Sequence, residues 1–283
     1  MIAFVLWAVG AVGADEAPSV PPQWLSAARP KKLERIVTVA PALTELLFAI
    51  GVGDRVVGVS RYDDFPAEVK ALPKVGGFLD PNVEAIVALR PDLVVANANA
   101  GNRAHLERVA KLGVPVYVVP GNTFADIFHA NRAVGAVFGG AAEKKARALN
   151  AELTATVKSL SAKSKGKPRT KTLVIYAYNP MVVGGPGSFV DHIIEVAGGD
   201  NIAKSGSEYP TYSVEHVLES APDVIIDATE VATEDPPWTN WTAVPAVKNG
   251  RVHRVTMGGL MRPGPRIVEG LKRMYGYLHP RAR

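Results

Sequence analysis

Cysteine is absent from this chain of 283 residues. Without thiols there is no disulfide framework, no thiolate zinc ligand, no cysteine nucleophile and no cysteine for lipid attachment. The apolar run at residues 2–14 is too short to cross a bilayer comfortably and is followed by a polar, Pro-rich stretch. It predicts a secretory signal cleaved near Ala14, although the positive n-region is missing and the segment could instead stay as a membrane anchor.

Signatures of catalysis and of metal binding are also missing. The sequence contains no P-loop, G-x-S-x-G, H-E-x-x-H or EF-hand pattern, and its six histidines are scattered without metal-ligand spacing. The Gly-rich run at residues 184–188 lacks the spacing of a dinucleotide site. We therefore predict that the chain is not an enzyme and has no catalytic residue, metal site or cofactor. An enzyme acting on a small ligand is the alternative of a different class.

Positively charged side chains only slightly outnumber negatively charged ones. The chain has 32 Lys and Arg against 27 Asp and Glu, a formal net charge of +5. A basic run at residues 163–171 has no interleaved aromatic side chains, which single-stranded nucleic acid would require for stacking. We interpret the run as a solvated connector and expect no nucleic-acid partner.

An internal repeat is the most informative feature that is present. Residues 83–95 and 214–226 match in register, and each reads as a short helix with Glu in its first turn, a Pro-Asp break and a buried strand. The matching glutamates are Glu84 and Glu215. The repeat predicts two similar lobes, a ligand cleft between them, and one charge per lobe for a two-fold symmetric partner.

Strands and helices alternate along the chain, and the strands are nearly continuous runs of apolar residues. This order favours the α/β class, with parallel sheets covered on both faces. Helix-compatible sequence after Gly140 predicts one long helix joining the lobes. The predicted organisation is a signal peptide at 1–14, a Pro-rich leader at 15–33, an N-terminal lobe at 34–139, a bridging helix at 140–165 and a C-terminal lobe at 166–283.

Individual elements follow from periodicity and from turn residues. Asp80 is predicted to cap a helix that has Pro81 at its first position. Strands are predicted near 35–40, 56–59, 93–96, 114–119, 171–177, 223–228 and 251–255, and helices near 42–50, 104–112, 140–162 and 265–278.

Aromatic side chains are concentrated in the predicted loops. At strand ends such side chains can stack on a large flat ligand, and Tyr and Trp also offer a hydrogen bond. The alternative is that they pack beneath the loops, as we expect for Tyr176 inside a strand pattern. The set comprises Tyr62, Phe65, Phe78, Tyr176, Tyr178, Tyr209, Tyr212, Trp238 and Trp241.

Four separated segments, at residues 35–46, 58–66, 77–86 and 262–267, resemble the ABC-transporter substrate-binding proteins with a helical backbone, above all those that bind vitamin B12. The resemblance extends from about residue 34 to the C-terminus. It implies two Rossmann-like lobes joined by a long helix, with a corrinoid, ferric siderophore or haem held in the cleft. It also implies that one Glu per lobe docks on arginines of a dimeric permease, and Glu84 and Glu215 fall at those positions.

The resemblance also implies a set of ligand contacts. Tyr62 matches a tyrosine that contacts vitamin B12, and Phe78 replaces a tryptophan. Asn97 and Gly259 depart from the pattern, because both stand where those proteins have tryptophans, and tryptophans on another loop could compensate. The predicted ligand-contacting residues are Tyr62, Phe78, Asn97, Tyr178, Trp238, Trp241 and Arg262.

The resulting expectation is a monomeric periplasmic receptor that binds cobalamin or another corrinoid and delivers it to an ABC permease dimer in the inner membrane. A haem receptor is one alternative, with Tyr62 or Tyr178 as axial ligand. A siderophore receptor is another, with Arg61, Arg103 or Arg262 facing an anionic ligand.

Overall fold

The computed structural model describes residues 16–229, 236–260 and 262–280. The chain divides into two compact units, the first ending at Ala151 and the second beginning at Glu152. The predicted signal peptide at 1–14 lies outside the described residues. None of the described helices combines the length and the apolar character that a membrane span requires.

The first unit contains a five-stranded sheet with the strand order β1-β5-β4-β2-β3. Strands β2 to β5 are parallel, and β1 is an antiparallel edge strand. Its strands are β1 (Gln23–Trp24), β2 (Ile36–Thr38), β3 (Val56–Gly58), β4 (Leu93–Asn97) and β5 (Val116–Val119). Its helices are α1 (Pro41–Ala49), α2 (Val83–Ala88), α3 (Arg103–Lys111), α4 (Phe124–Phe138) and the first part of α5 (Gly140–Ser164). Short 3-10 turns occupy Gly53–Arg55 and Ala67–Ala71.

Side chains of this sheet alternate between two hydrophobic clusters. In β4, Leu93 and Val95 belong to a cluster with α1, α4 and α5, whereas Val94 and Ala96 belong to a cluster with α2 and α3. Successive residues of a strand point to opposite faces. The sheet is therefore covered on both sides, as its continuous apolar strands predict.

The segment predicted as a Pro-rich leader contributes to the fold of the first unit. Trp24 pairs with Tyr117 of β5, and the two ring centroids lie 4.6 Å apart. Ser19 donates from its main-chain N–H and from its hydroxyl to the Asp126 carboxylate, at 2.8 and 2.6 Å. Two residues of strand are too few to show a periodicity, so the sequence did not predict this edge strand.

The second unit contains a sheet with the strand order β10-β9-β6-β7, and β8 also pairs with β6. All its pairings are parallel except that of β7, which forms a hairpin with β6. Its strands are β6 (Thr170–Tyr178), β7 (Met181–Val183), β8 (Gly199–Asn201), β9 (Val224–Asp227) and β10 (Val252–Arg254). Its helices are α6 (Phe189–Val196), α7 (Val214–Ser220), α8 (Pro245–Lys248), α9 (Met257–Leu260) and α10 (Ile267–Leu278), and Pro237–Asn240 form a 3-10 turn.

Helix α5 is 25 residues long and passes from the first unit into the second. Gly139 separates it from α4, and the φ angles of Gly139 and Gly140, 64° and 51°, are positive values that favour glycine. Two units with mostly parallel sheets, connected through one long helix, confirm the predicted fold class.

The sequence repeat is also a repeat of local structure. Helices α2 and α7 are both followed by a non-glycine residue in the left-handed conformation, Arg90 and Ala221, each with a φ of 47°. Two residues later, Asp92 and Asp223 each accept a hydrogen bond from a main-chain N–H of the adjacent segment, at 3.0 and 3.1 Å. The matched sequence therefore specifies the same helix-to-strand corner in both units.

The predicted cap of α2 at Asp80 is wrong. Helix α2 begins at Val83, and its cap is Asn82, whose side chain accepts from the Ala85 N–H at 2.8 Å. Asp80 instead forms an ion pair with Arg61. Asn and Asp are comparable caps, so the sequence alone left two residues competing for this place.

Candidate functional site

The carboxyl ends of the parallel strands in the first unit form one candidate binding edge. The strand order reverses at β2, with β3 on one side and β4 and β5 on the other. In open α/β sheets, ligands bind outside the carboxyl ends of the strands at such a reversal. Predicted residues Tyr62, Phe78 and Asn97 all lie in or beside the loops of this edge.

Tyr62 is presented to solvent by an anchored loop. Its side chain is 56% exposed, and Phe65 and Leu79 are 44% and 54% exposed. The loop is fixed because the Arg61 N–H donates to the Gly76 carbonyl at 2.8 Å. The Arg61 guanidinium also lies 5.8 Å from the centre of the Tyr62 ring. Exposed apolar side chains on a fixed loop form a preorganised contact surface.

Phe78 and Asn97 are more enclosed than Tyr62. Phe78 packs partly against the first hydrophobic cluster, and its carbonyl accepts from Asn102 Nδ2 at 3.0 Å. Asn97 is 6% exposed, and its Nδ2 donates to the Pro120 carbonyl at 3.0 Å. Asn97 thus ties the loop after β4 to the loop after β5.

A cavity of about 350 Å³ lies in the first unit beside α3. Its lining includes Val20, Gln23, Asn99, Arg103 and Leu106. None of the seven residues predicted to contact a corrinoid lines it, although Arg103, a candidate contact for an anionic siderophore, does. We therefore do not assign the ligand to this cavity.

The carboxyl edge of the second sheet contains a polar cluster. Tyr178, Asp227 and Arg254 are the last residues of the adjacent parallel strands β6, β9 and β10. Asp227 is 1% exposed, and its Oδ2 accepts from Trp238 Nε1 at 2.9 Å. Arg254 Nε lies 3.9 Å from the same oxygen. The cluster joins two predicted ligand residues, Tyr178 and Trp238, through a buried carboxylate.

Burial alone would raise the pKa of Asp227, but hydrogen bonds from Thr229 and Trp238 outweigh it and hold the pKa below its usual range. The pKa of Tyr178 is raised by burial and by the negative charge of Asp227. The Tyr178 hydroxyl is buried and has no partner with hydrogen-bond geometry among the described residues, although it lies near that carboxylate. Tyr178 is therefore held as a neutral phenol.

Two further predicted contacts lie in the second unit. Trp241 is 6% exposed and packs edge-on against Tyr178, with ring centroids 6.4 Å apart. Trp241 therefore helps to hold the Tyr178 ring in place. Arg262 is half-buried and follows α9, the short helix that contains Gly259.

Glu84 and Glu215 occupy the first turns of α2 and α7 and are exposed. Glu84 Oε1 lies 3.2 Å from Arg108 Nη2. Glu215 forms no ion pair with any described residue, and its pKa is lowered by its own main-chain N–H and by the Ser213 hydroxyl. The two carboxylates are equivalent in the repeat but differ in their surroundings.

Sequence reasoning missed Asp227 and Arg254. A signal was present, because each is a charged residue at the end of a predicted buried strand, near 223–228 and 251–255. A charge in that position is expected at the carboxyl edge, where open sheets bind ligands. Within the described ranges, no group of three or more His, Cys, Asp or Glu residues is arranged to hold a metal ion.

Known proteins resemble the chain over most of its length. The sequence model of the periplasmic binding protein family matches residues 36–256. The vitamin B12-binding protein of Vibrio parahaemolyticus is 31% identical over 248 residues, which are 84% of this chain and 87% of that protein. Each of these likenesses is to a binding protein, which confirms the prediction that the chain is not an enzyme.

Solved structures agree with the sequence relatives. The crystal structure of the periplasmic vitamin B12-binding protein of Vibrio cholerae superimposes with a TM-score of 0.74 at 28% identity, covering 87% of this chain and 96% of that one. The periplasmic haem-binding protein of Roseiflexus sp. RS-1, in its apo form, superimposes with a TM-score of 0.77 at 25% identity, covering 87% and 98%. The two structures share this fold but are named for different ligands.

Proposed function

Since the chain belongs to the periplasmic binding protein family, we propose that it is the substrate-binding component of an ABC importer whose ligand is cobalamin or another corrinoid. It binds the corrinoid without changing it chemically. It then delivers the ligand to a permease dimer in the inner membrane.

The observation that carries this proposal is the exposure of Tyr62, Phe65 and Leu79 on two loops of the first unit that the Arg61–Asp80 ion pair joins. A single exposed apolar side chain is ordinary in a soluble protein, but several on adjoining loops mark an interaction or ligand-binding surface. A corrinoid offers a broad, flat macrocycle for such a surface and a rim of amide groups for hydrogen bonds. The relative with 31% identity is named for the same ligand class.

The state of Tyr178 disfavours this residue as an axial ligand of haem. A tyrosine that binds haem iron does so as the phenolate, so a raised pKa disfavours it as an axial ligand. Burial and the Asp227 charge raise the pKa of Tyr178. In cyanocobalamin, by contrast, both axial positions of the cobalt are already occupied by the molecule's own ligands, so no axial ligand is required from the protein.

Haem is the second candidate, because the haem-binding protein of Roseiflexus superimposes closely and Tyr62 is accessible to an iron atom. Parallel titrations, with hemin followed by absorbance and with cyanocobalamin followed by calorimetry, separate the two ligands. We expect a saturable heat of binding with cyanocobalamin and no Soret shift with hemin. A saturable Soret shift that excess cyanocobalamin does not reverse would contradict the corrinoid proposal.

Tyr62→Ala should weaken cyanocobalamin binding by about ten-fold, because it removes an aromatic contact surface from a loop that stays anchored. The free energy of unfolding should change little, since Tyr62 is 56% exposed. Calorimetric titration gives the dissociation constant, and urea unfolding gives the stability. Tyr275→Ala on α10 is the control, since Tyr275 lies beside Lys167, which precedes the amino end of β6. Equal dissociation constants for Tyr62→Ala and the wild type would remove Tyr62 from the site.

Export is part of the proposal. Residues 1–14 are proposed to direct the chain to the periplasm and to be removed there. Protein recovered from the periplasm should have a mass that begins near Asp15. An intact N-terminus in the membrane fraction would show that the segment is retained as an anchor.

A further inference from the structure

Asp227 is a buried carboxylate at the carboxyl end of β9, and it is 1% exposed. Removing a carboxylate from water is unfavourable unless the charge is compensated by hydrogen bonds or by an opposite charge. Arg254 is 3.9 Å from Oδ2, which is long for an ion pair. Hydrogen bonds from neighbouring residues therefore supply most of the compensation.

The two carboxylate oxygens of Asp227 accept hydrogen bonds from different residues. Oδ1 accepts from the main-chain N–H of Thr229 at 3.1 Å and from its hydroxyl at 2.7 Å. Oδ2 accepts from the indole N–H of Trp238 at 2.9 Å. One oxygen thus fixes the chain just after β9, and the other holds a side chain eleven residues further along.

Trp238 is the half-buried residue of the 3-10 turn Pro237–Asn240, whose other three residues are exposed. Its ring packs partly against the hydrophobic cluster of the second unit. Packing alone restrains where the Trp238 ring lies, but it restrains the side-chain torsion angles of Trp238 less. A charge-assisted hydrogen bond to the indole N–H fixes that rotation.

We propose that Asp227 is a positioning residue, which holds the Trp238 indole in the orientation that contacts the ligand. This inference rests on the proposed function, in which Trp238 is a ligand contact. Asp227 does not need to touch the ligand itself. Its charge fixes the ring before the ligand arrives, so that binding does not have to order it.

Asp227→Asn tests this role with little change in shape. The single carbonyl oxygen of the substituted amide can serve either the two donors of Thr229 or the one donor of Trp238. Two hydrogen bonds outweigh one, so the amide NH2 should turn toward the indole N–H, where two donors oppose each other. The substitution should therefore release Trp238 while the segment around Thr229 stays in place.

The first readout is the affinity for cyanocobalamin in a double-mutant cycle with Trp238→Phe. We expect Asp227→Asn to raise the dissociation constant at least about ten-fold in the wild-type background, as loss of a charge-assisted hydrogen bond implies. In the Trp238→Phe background the same substitution should raise the dissociation constant by less than about two-fold, because the indole N–H that Asp227 binds is no longer present. Equal effects in both backgrounds would overturn the inference.

A second readout needs no ligand. The indole 1H–15N resonance of Trp238, identified by its absence in Trp238→Phe, should move upfield in Asp227→Asn and exchange faster with solvent. An unchanged resonance would overturn the inference whatever the ligand is. If the resonance moves but the wild type does not bind cyanocobalamin, the positioning of Trp238 stands, and the corrinoid proposal fails.

Asp223→Asn is the matched control. Asp223 precedes the other end of β9, and its Oδ2 accepts from the Lys171 N–H at 3.1 Å. The same substitution at the amino edge should leave both the cyanocobalamin affinity and the Trp238 resonance unchanged. A comparable loss of affinity in Asp223→Asn would mean that Asp227 acts only through general stability, and the proposal would be withdrawn.

Discussion

Combined replacement of Glu84 and Glu215 by alanine is expected to abolish cobalamin uptake while the dissociation constant for cobalamin stays that of the wild type. Both side chains are exposed in the first turn of short helices that the internal repeat makes equivalent. One carboxylate per unit suits a permease dimer with a basic group on each half, where charge complementarity steers and orients docking. Without both carboxylates, the loaded receptor would no longer dock productively.

The measurement is uptake of radiolabelled cyanocobalamin by cells of the source organism that lack the gene and carry each variant. Glu107→Ala combined with Glu219→Ala is the control, since it also removes one carboxylate from the surface of each unit, on α3 and α7. Control cells should take up cobalamin at the wild-type rate. Undiminished uptake by the Glu84 and Glu215 double variant would exclude these residues from docking.

Asp126→Ala is expected to lower the free energy of unfolding by about 3 kcal/mol, because it leaves several main-chain donors without their acceptor. The carboxylate is fully buried and forms a capping box with Thr123 at the start of α4. It also accepts from the N–H of Asn122 at 2.8 Å and twice from Ser19. Loss of these bonds should also free the N-terminal segment from α4.

The same carboxylate makes stability depend on pH in acid. Burial would raise the pKa of Asp126, but hydrogen bonds from Ser19, Thr123 and Asn122 prevail and lower it below its ordinary 3.8. A lowered pKa in the folded state gives stability that is complete above the unfolded pKa and is lost as pH falls through the folded value. Urea unfolding between pH 7 and pH 2 should therefore show a smaller acid loss in Asp126→Ala. Asp54→Ala, at an exposed position, should match the wild type, and equal stability of Asp126→Ala and the wild type would contradict the account.

The sequence predicted most of the fold, because the features it relied on are periodic or repeated. Strands β2, β4, β5 and β9 are short apolar runs bounded by turn residues. The match between residues 83–95 and 214–226 predicted the same local structure in both units, and each unit contains the same helix-to-strand corner. The edge strand β1 was not predictable in this way. Two residues carry no pattern. Trp24 of β1 pairs with Tyr117, and Ser19, which precedes β1, donates to Asp126, so the contacts that hold this segment are distant in sequence.

The candidate site was predictable in its residue types but not in its connections. Tyr62 and Trp238 were identified as aromatics on loops, and the structure places both at carboxyl edges of their sheets. The roles of Asp227 and Asn97 depend on hydrogen bonds to residues that lie 11 and 23 positions away, which no local pattern indicates. Trp241 stays a predicted contact, and its burial and edge-on packing against Tyr178 are further connections that no local pattern indicates.

Calorimetric titration of purified residues 15–283 with cyanocobalamin, followed by mass analysis of the recovered ligand, tests the central claim most directly. We expect saturable binding of one cyanocobalamin per chain, with the ligand recovered unchanged. Absence of binding, or recovery of a chemically altered corrinoid, would contradict it.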